Sequence, residues 1–252
     1  MGFTDIFKKK HTEQINSDVI DNFNQIKSLL TFEDKDDFYF CQIIQRKKDG
    51  NDVPASNNGY RTIRTYYIKS PKDLDRLKPH IIQLCEHNRA RAYINLNVRN
   101  AKEVLLAAIQ YYAQLIAEGR AIQGLAGSID HCCGVTPKMS KKRKWIVDVD
   151  TKIEKIVSIV KNAINLCRSA NKVDDLHYSN IFAEIPTMNG VHLITCGFDK
   201  SSLKTNMLTE AFDTLKSNRE IDMPDTVIDE ICGSIKKDNP TLLYFKKKKE
   251  EN

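Results

Sequence analysis

The spacing of apolar and polar residues along the chain predicts six helices and eight strands. Apolar residues three and four apart, as on one face of a helix, mark residues 12–30, 70–88, 101–118, 151–169, 201–217 and 226–234. Shorter stretches rich in β-branched and aromatic residues predict strands over 38–45, 60–68, 91–97, 144–150, 180–185, 191–195, 220–223 and 241–245. This mixture predicts the α+β class.

Local signals fix several of these boundaries. Ser70 followed by Pro71 is typical of a helix start, with a capping serine and a proline in the first turn. Asn189-Gly190 is typical of a hairpin turn between the strands at 180–185 and 191–195. Residues 47–59 are rich in Asp, Asn, Gly and Pro, which predicts a long loop between two strands.

From residue 144 onward the predicted order is strand, helix, two strands, helix, strand. This β-α-β-β-α-β order predicts a ferredoxin-type antiparallel sheet, as in RNA-recognition (RRM-like) domains. We therefore divide the chain into an N-terminal helical arm (1–37), an N-terminal αβ subdomain (38–140), an RRM-like subdomain (141–245) and a charged tail (246–252). The two subdomains are expected to form a cleft between them.

Composition and charge narrow the class of protein. The 252 residues are 41% hydrophobic and contain no run of 18 apolar residues, so a packed core is feasible and no membrane partner is expected. The seven cysteines lack the spacing of a disulfide framework, which indicates free thiols and a cytoplasmic protein. The net charge of +6 is concentrated in clusters at 8–10, 46–48, 141–144 and 246–249, as suits a polyanionic partner or an ordinary solubilising surface.

Asp148 and Asp150 end an apolar strand at a spacing that places both carboxylates on one face. Paired carboxylates repel each other, and a hard divalent cation relieves that repulsion. Alternatively, Asp150 caps the helix that follows at Thr151. The aspartates alone leave both interpretations open.

Two other motifs favour simpler explanations. His131-Cys132-Cys133 lacks the two-residue gap that lets both sulfurs bind one zinc ion, so a loop or helix end is favoured. Lys47-Lys48-Asp49-Gly50 matches the Lys-x-Asp-Gly pattern of a ligase lysine, but its turn chemistry is common and favours a basic turn. On the strand at 91–97, Tyr93, Asn95 and Asn97 share a face that would line a cleft, with Arg99 just beyond, or would be half exposed.

Together these motifs resemble the archaeo-eukaryotic primase superfamily, the primase-polymerases, in the style of its phage and mobile-element members. The family's first motif is an apolar strand ending Asp-x-Asp, here Trp145 to Asp150. Its second is approximately Ser-Gly-Arg/Lys-Gly-x-His, and the segment Thr187 to His192 keeps the hydroxyl residue, the second glycine and the histidine. Met188 and Asn189 depart from the pattern, which leaves nucleotide binding without catalysis possible.

The resemblance implies a set of site residues. Asp148, Asp150 and a third aspartate would hold Mg²⁺ or Mn²⁺ and carry catalysis; Asp222 fits the third position best, ahead of Asp238 and Asp199. The resemblance also implies contacts with the nucleotide's phosphates for Thr187 and His192. We add Asn189, in the same segment, and the basic residues Lys144 and Arg99 as further candidates for nucleotide binding.

The function implied is nucleotidyl transfer. A metal-dependent primase-polymerase would use nucleoside triphosphates to synthesise or extend nucleic acid on a single-stranded template. Two alternatives remain: a non-catalytic module of the same fold that binds nucleic acid or nucleotide, and a metal-dependent nuclease that uses Asp148 and Asp150 to activate water.

Overall fold

A computed structural model describes residues 18–53, 59–120, 127–138, 143–169, 179–217 and 234–247. These residues form two antiparallel sheets and six α-helices. The α+β class expected from the sequence is confirmed at this level.

Six of the described strands form the first sheet, in the order β1-β10-β4-β2-β3, with β5 paired to one end of β2. Its strands are β1 (Val19–Asp21), β2 (Asp37–Arg46), β3 (Tyr60–Ile68), β4 (Arg91–Asn95), β5 (Arg99–Asn100) and β10 (Pro240–Lys246). The longest pairing joins β2 and β3, from Tyr39 opposite Ile68 to Arg46 opposite Tyr60. The described residues that follow β2 begin with a 3₁₀ turn, Lys47–Asp49. Residues 54–58 of the loop predicted over 47–59 lie outside the described residues.

Four described strands form the second sheet, in the order β7-β8-β6-β9. They are β6 (Trp145–Val149), β7 (Ile181–Pro186), β8 (Val191–Thr195) and β9 (Ile235–Lys236). Every neighbouring pair is antiparallel. The predicted hairpin of β7 and β8 is confirmed, with Asn189-Gly190 in its turn.

The helices cover the sheets. They are α1 (Phe23–Lys27), α2 (Pro71–His87), α3 (Ala101–Ala117), α4 (Ser128–Val135), α5 (Glu154–Leu166) and α6 (Lys200–Ser217). As predicted, Ser70 caps α2: its hydroxyl accepts a hydrogen bond from the Asp73 amide. The His131-Cys132-Cys133 segment lies in α4, and both cysteines pack into an apolar cluster with Phe38 and Phe40.

Successive side chains of β6 point to opposite faces of the second sheet, and each face packs against a different part of the protein. Val147 and Val149 pack into a cluster with α5 and α6. On the other face, Ile146 joins Ile185 and Ile194 in the core of the first sheet. The two sheets therefore share apolar contacts, and Asp148, on the same face of β6 as Ile146, is directed toward the first sheet.

Two expectations about the ends of the chain are wrong. Residues 19–21, predicted as part of a helix over 12–30, form β1 because they pair with β10; the helix that follows is only Phe23–Lys27. The final strand, which we placed in the RRM-like subdomain 141–245, pairs with β4 in the first sheet. The chain thus crosses from the first sheet to the second before β6 and returns after β9.

Two predicted elements, the strand at 220–223 and nearly all of the helix at 226–234, lie outside the described residues. Six of the seven cysteines lie in the part of the chain that the structure describes, where they are buried and form no disulfide. No helix in the described ranges has the length and apolar character needed to cross a membrane.

Candidate functional site

A pocket of about 660 Å³ lies where the two sheets meet. The first sheet lines it with residues of β2, β3, β4 and β10, chiefly Ile44, Arg46, Tyr60, Arg91, Tyr93, Pro240 and Leu242. The second sheet and its hairpin turn line it with Ile146, Asp148, Asp150, Thr187, Met188, Asn189, His192, Ser234 and Lys236. Five residues predicted from the sequence are therefore brought together here: Asp148, Asp150, Thr187, Asn189 and His192.

Asp148 and His192 form the centre of this wall. They are direct partners in the register of β6 and β8, and His192 Nε2 lies 3.4 Å from Asp148 Oδ1. The other ring nitrogen, Nδ1, is hydrogen-bonded to the hydroxyl of buried Thr241 on β10, at 2.8 Å. The histidine therefore connects the Asp-x-Asp strand to the first sheet.

This arrangement keeps Asp148 ionised. Contact with His192 is the largest influence on the pKa of Asp148 and lowers it; partial burial opposes this, and the positive charges of Lys48 and Arg46 lower it further. About half of the Asp148 side chain remains exposed, with a relative accessibility of 48%. The carboxylate is charged and accessible to a ligand.

Asp150 follows β6 and is exposed in the same pocket. The alternative that it caps the next helix is wrong. Helix α5 begins at Glu154 after Ile153, without a side-chain cap, and Thr151 Oγ1 accepts the hydrogen bond of the Ile153 amide. Asp150 is therefore available for a different role.

The turn between β7 and β8 is fitted against the end of β6. Thr187 closes it: its amide donates to the Gly190 carbonyl at 2.9 Å, and its hydroxyl accepts from the Gly190 amide at 3.1 Å. A Cβ on Gly190 would collide with the Val149 carbonyl oxygen and lie 2.6 Å from the Thr151 nitrogen. Only glycine permits this approach, so the turn and the Asp-x-Asp strand hold each other in place.

Basic side chains of the first sheet and of the turn after β2 line the opposite wall of the pocket. Arg46 lies on β2 and donates from Nη1 to the Tyr93 hydroxyl at 2.9 Å. Lys48 is exposed in the 3₁₀ turn that follows. Arg91 is ion-paired with Asp49 and lies 4.5 Å over the Phe245 ring. From the sequence, residues 46–48 were expected to be a basic cluster and Lys47 to Gly50 a basic turn, with no role assigned at the acid pair. The alternation of side chains along a strand, which puts Ile44 and Arg46 on one face of β2, was a signal that could have identified Arg46.

Two predicted nucleotide contacts lie elsewhere. Arg99 is fully buried, pairs with Asp238 at 2.8 Å and donates to the carbonyls of Asn97 and Cys133. It has no exposed surface for a ligand, so its predicted role is wrong. Lys144 does not line the pocket, and burial lowers the pKa of its amine.

Of the polar face predicted on β4, only Tyr93 lines the pocket. Asn95 and Asn97 are buried against the two segments that connect the sheets. Asn95 donates to the Asp238 carbonyl, and Asn97 donates to the carbonyls of Lys144 and Lys237. With Arg99 and Asp238 they form a clasp at the chain crossings, and their role is structural.

The third acidic partner is absent from the described pocket lining. Asp222 lies outside the described residues, and Asp238 is paired with Arg99. Asp199 is exposed and accepts from the amide and hydroxyl of Ser201 at the start of α6. On the side of β6 away from β8, the described neighbour is β9, which places Lys236 opposite Ile146. The Ser234 hydroxyl donates to the Asp148 carbonyl.

The donor set fits a divalent cation that is shared with a substrate. No group of three His, Cys, Asp or Glu side chains suited to a metal occurs among the described residues. Mg²⁺ commonly uses one or two protein carboxylates and completes its coordination with substrate phosphates and water. Asp148 and Asp150, both lining one pocket, match that requirement.

Comparisons with known proteins identify no relative of this chain. No protein-family model, no curated protein and no solved structure matches this chain.

Proposed function

We propose that this chain is a metal-dependent nucleotidyltransferase of the primase-polymerase type, which adds nucleotides from nucleoside triphosphates to nucleic acid on a single-stranded template. One observation carries the proposal: Asp148, Asp150, His192 and the Thr187–Gly190 turn line a single pocket. These residues are separated by a helix and a strand in sequence, and they are the ones that the resemblance to primase-polymerases selects.

The topology of the second sheet supports the finer fold assignment. Counting β6, β7, β8 and β9 as strands one to four of the unit, their spatial order is two-three-one-four. A ferredoxin-type, RRM-like β-α-β-β-α-β unit has this order, with its first and third strands in the centre. The pocket between this sheet and the first sheet supports the expected cleft.

Each residue has a chemical role in the proposed reaction. Asp148 and Asp150 would hold Mg²⁺ or Mn²⁺, which when bound supplies charge neutralisation to the triphosphate and activation of the attacking hydroxyl. His192, held at Nδ1 by Thr241, would donate from Nε2 to a phosphate oxygen beside Asp148. Thr187 and Gly190 fix the turn against the strand that carries both carboxylates.

A second candidate is nucleotide or nucleic-acid binding without turnover. Lys236, beside Ile146 on β9, favours it, because the resemblance implies an aspartate on the last strand of the unit, and β9 is the last described strand of the second sheet. Met188 and Asn189 in the turn favour it as well, because the family's motif has glycine and a basic residue there.

Incubation with a single-stranded DNA template, labelled nucleoside triphosphates and Mn²⁺ or Mg²⁺ separates these functions. Products longer than any primer supplied support nucleotidyl transfer. Nucleotide binding without products supports the second candidate. Metal-dependent shortening of the template would instead indicate a nuclease.

A further inference from the structure

We propose that Arg46 and Lys48, on the wall that faces Asp148, bind the polyphosphate of the nucleotide and replace the basic residue that the hairpin turn lacks. The inference rests on the proposed function, because it concerns the same pocket. It assigns ligand contacts to the first sheet, where the one nucleotide contact expected from the sequence, Arg99, is buried away from the pocket.

The turn itself provides no positive charge. Residues Thr187 to Gly190 contain two polar side chains, a methionine and a glycine. A triphosphate carries several negative charges, and its binding in proteins relies on cations or on backbone amides. The pocket must therefore recruit cations from other elements.

Arg46 is oriented toward the pocket. It shares a face of β2 with Ile44, which also lines the pocket, and its Nη1 is held by the Tyr93 hydroxyl. A guanidinium has five N–H donors, so this contact fixes its direction and leaves other donors for phosphate oxygens. No carboxylate of the described residues forms an ion pair with Arg46.

Contacts of the residues on either side of Lys48 hold the turn that carries it. Asp49, the next residue, forms two hydrogen bonds with the Arg91 guanidinium. Gly50 ends the 3₁₀ turn with φ of 77°, and the Lys47 amide donates to the Gly59 carbonyl. These contacts place the Lys48 side chain in the pocket, while Lys47 lies outside its lining.

Arg91 is not part of the proposed phosphate site. Asp49 forms an ion pair with it, and both side chains are largely buried, with relative accessibilities of 12% for Arg91 and 8% for Asp49. Separating the two would leave a buried carboxylate unpaired. Arg91 therefore supports the loop that carries Lys48.

Arg46 and Lys48 line the same pocket as Asp148 and Asp150. The two cations belong to β2 and the turn that follows it, whereas the two carboxylates belong to β6 and the residue that follows it. A nucleotide whose phosphates approach Asp148 through a shared divalent cation would therefore lie in the pocket that holds both cations. Cations on one wall and carboxylates on the other would then bind opposite sides of the polyphosphate.

The test compares two adjacent lysines. Binding of ATP, inorganic tripolyphosphate and adenosine is measured by calorimetry for the wild-type chain, Lys48→Gln, Arg46→Gln and the control Lys47→Gln. We expect Lys48→Gln and Arg46→Gln to weaken ATP and tripolyphosphate binding by about ten- to a hundredfold, as for loss of a hydrogen bond to a charged group. Lys47→Gln should leave it unchanged, and no substitution should affect adenosine. Equal affinities in all four proteins, or equal losses at Lys47 and Lys48, would overturn the proposal.

The same proteins distinguish this inference from the proposed function. If the wild-type chain forms no product but Lys48→Gln and Arg46→Gln lose polyphosphate binding, the phosphate site stands and catalysis fails. If the chain extends a template and both variants retain the wild-type rate and KM for nucleotide, the function stands and the phosphate site fails. Thermal unfolding of each variant verifies that exposed Lys48 and half-buried Arg46 are replaced without loss of fold.

Discussion

His192 lies directly opposite Asp148 across strands β6 and β8, with Nε2 3.4 Å from Oδ1, and its other nitrogen binds Thr241 in the first sheet. One side chain thus links the carboxylate of the second sheet to the facing sheet. Because Thr241 is fully buried, this link is held within the packed structure. The position of Asp148 relative to the basic wall therefore depends on His192.

Substitution His192→Ala should reduce nucleotide incorporation by about ten- to a hundredfold, the effect of removing a hydrogen bond to a charged phosphate. His192→Gln, which keeps a polar side chain in the pocket, should restore part of the loss. Steady-state incorporation in the presence of Mn²⁺ measures both. Full activity in His192→Ala would remove the histidine from the proposed site.

The protonation of Asp148 should also depend on His192. The pKa of Asp148 lies below the ordinary aspartate value of about 3.9, and contact with His192 is the main cause. The wild-type carboxylate therefore stays charged as the pH falls to that value and is protonated only below it. In His192→Ala the midpoint should move upward, as followed by carbon-13 NMR of labelled aspartate carboxyls. An unchanged midpoint would contradict this account.

Gly190→Ala should destabilise the protein and disturb the end of β6, because the added Cβ would meet the backbone of Val149 and Thr151. We expect a loss of about 1–3 kcal/mol in the free energy of unfolding, typical of overpacking. Gly134→Ala is the matched control: its Cβ meets nothing within 4 Å, and the residue lies in helix α4, where alanine is favoured. Equal stability of the two variants, measured by chemical denaturation, would argue against the close approach.

The clasp at the chain crossings should contribute to stability. Asp238→Ala leaves the fully buried Arg99 charge without its carboxylate, and loss of one partner of a buried pair costs about 3–5 kcal/mol. Asp75→Ala, which removes an exposed ion pair with Lys27, should have little effect. Urea unfolding of both variants tests this; similar midpoints would show that the clasp is dispensable.

The elements that local sequence determines were predictable. Helix α2 follows from Ser70 and Pro71, and the hairpin of β7 and β8 follows from Asn189-Gly190 between two β-branched stretches. These cap and turn signals lie within a few residues of the feature that they specify. The acid pair and His192 are far apart in sequence and were assigned to one site through the two motifs that resemble those of primase-polymerases; their strands are direct neighbours in the sheet.

Features that depend on distant partners were not predictable. Val19–Asp21 has a helical spacing of apolar residues but becomes a strand by pairing with Tyr244–Lys246. A charged residue such as Arg99 suggests an exposed position, yet Asp238, 139 residues away, makes its burial possible. The position of Arg46 and Lys48 opposite Asp148 likewise depends on how the two sheets pack.

The most direct test of the central claim is template-dependent incorporation of labelled nucleotides by the wild-type chain, the double variant Asp148→Asn, Asp150→Asn, and Asp199→Asn, each with Mn²⁺ and with Mg²⁺. Asp199 is an exposed carboxylate outside the pocket, and asparagine preserves its capping chemistry. The account predicts products from the wild-type chain and Asp199→Asn, and a loss of at least about a hundredfold in the double variant. No product from the wild-type chain with either metal, or undiminished product from the double variant, would contradict it.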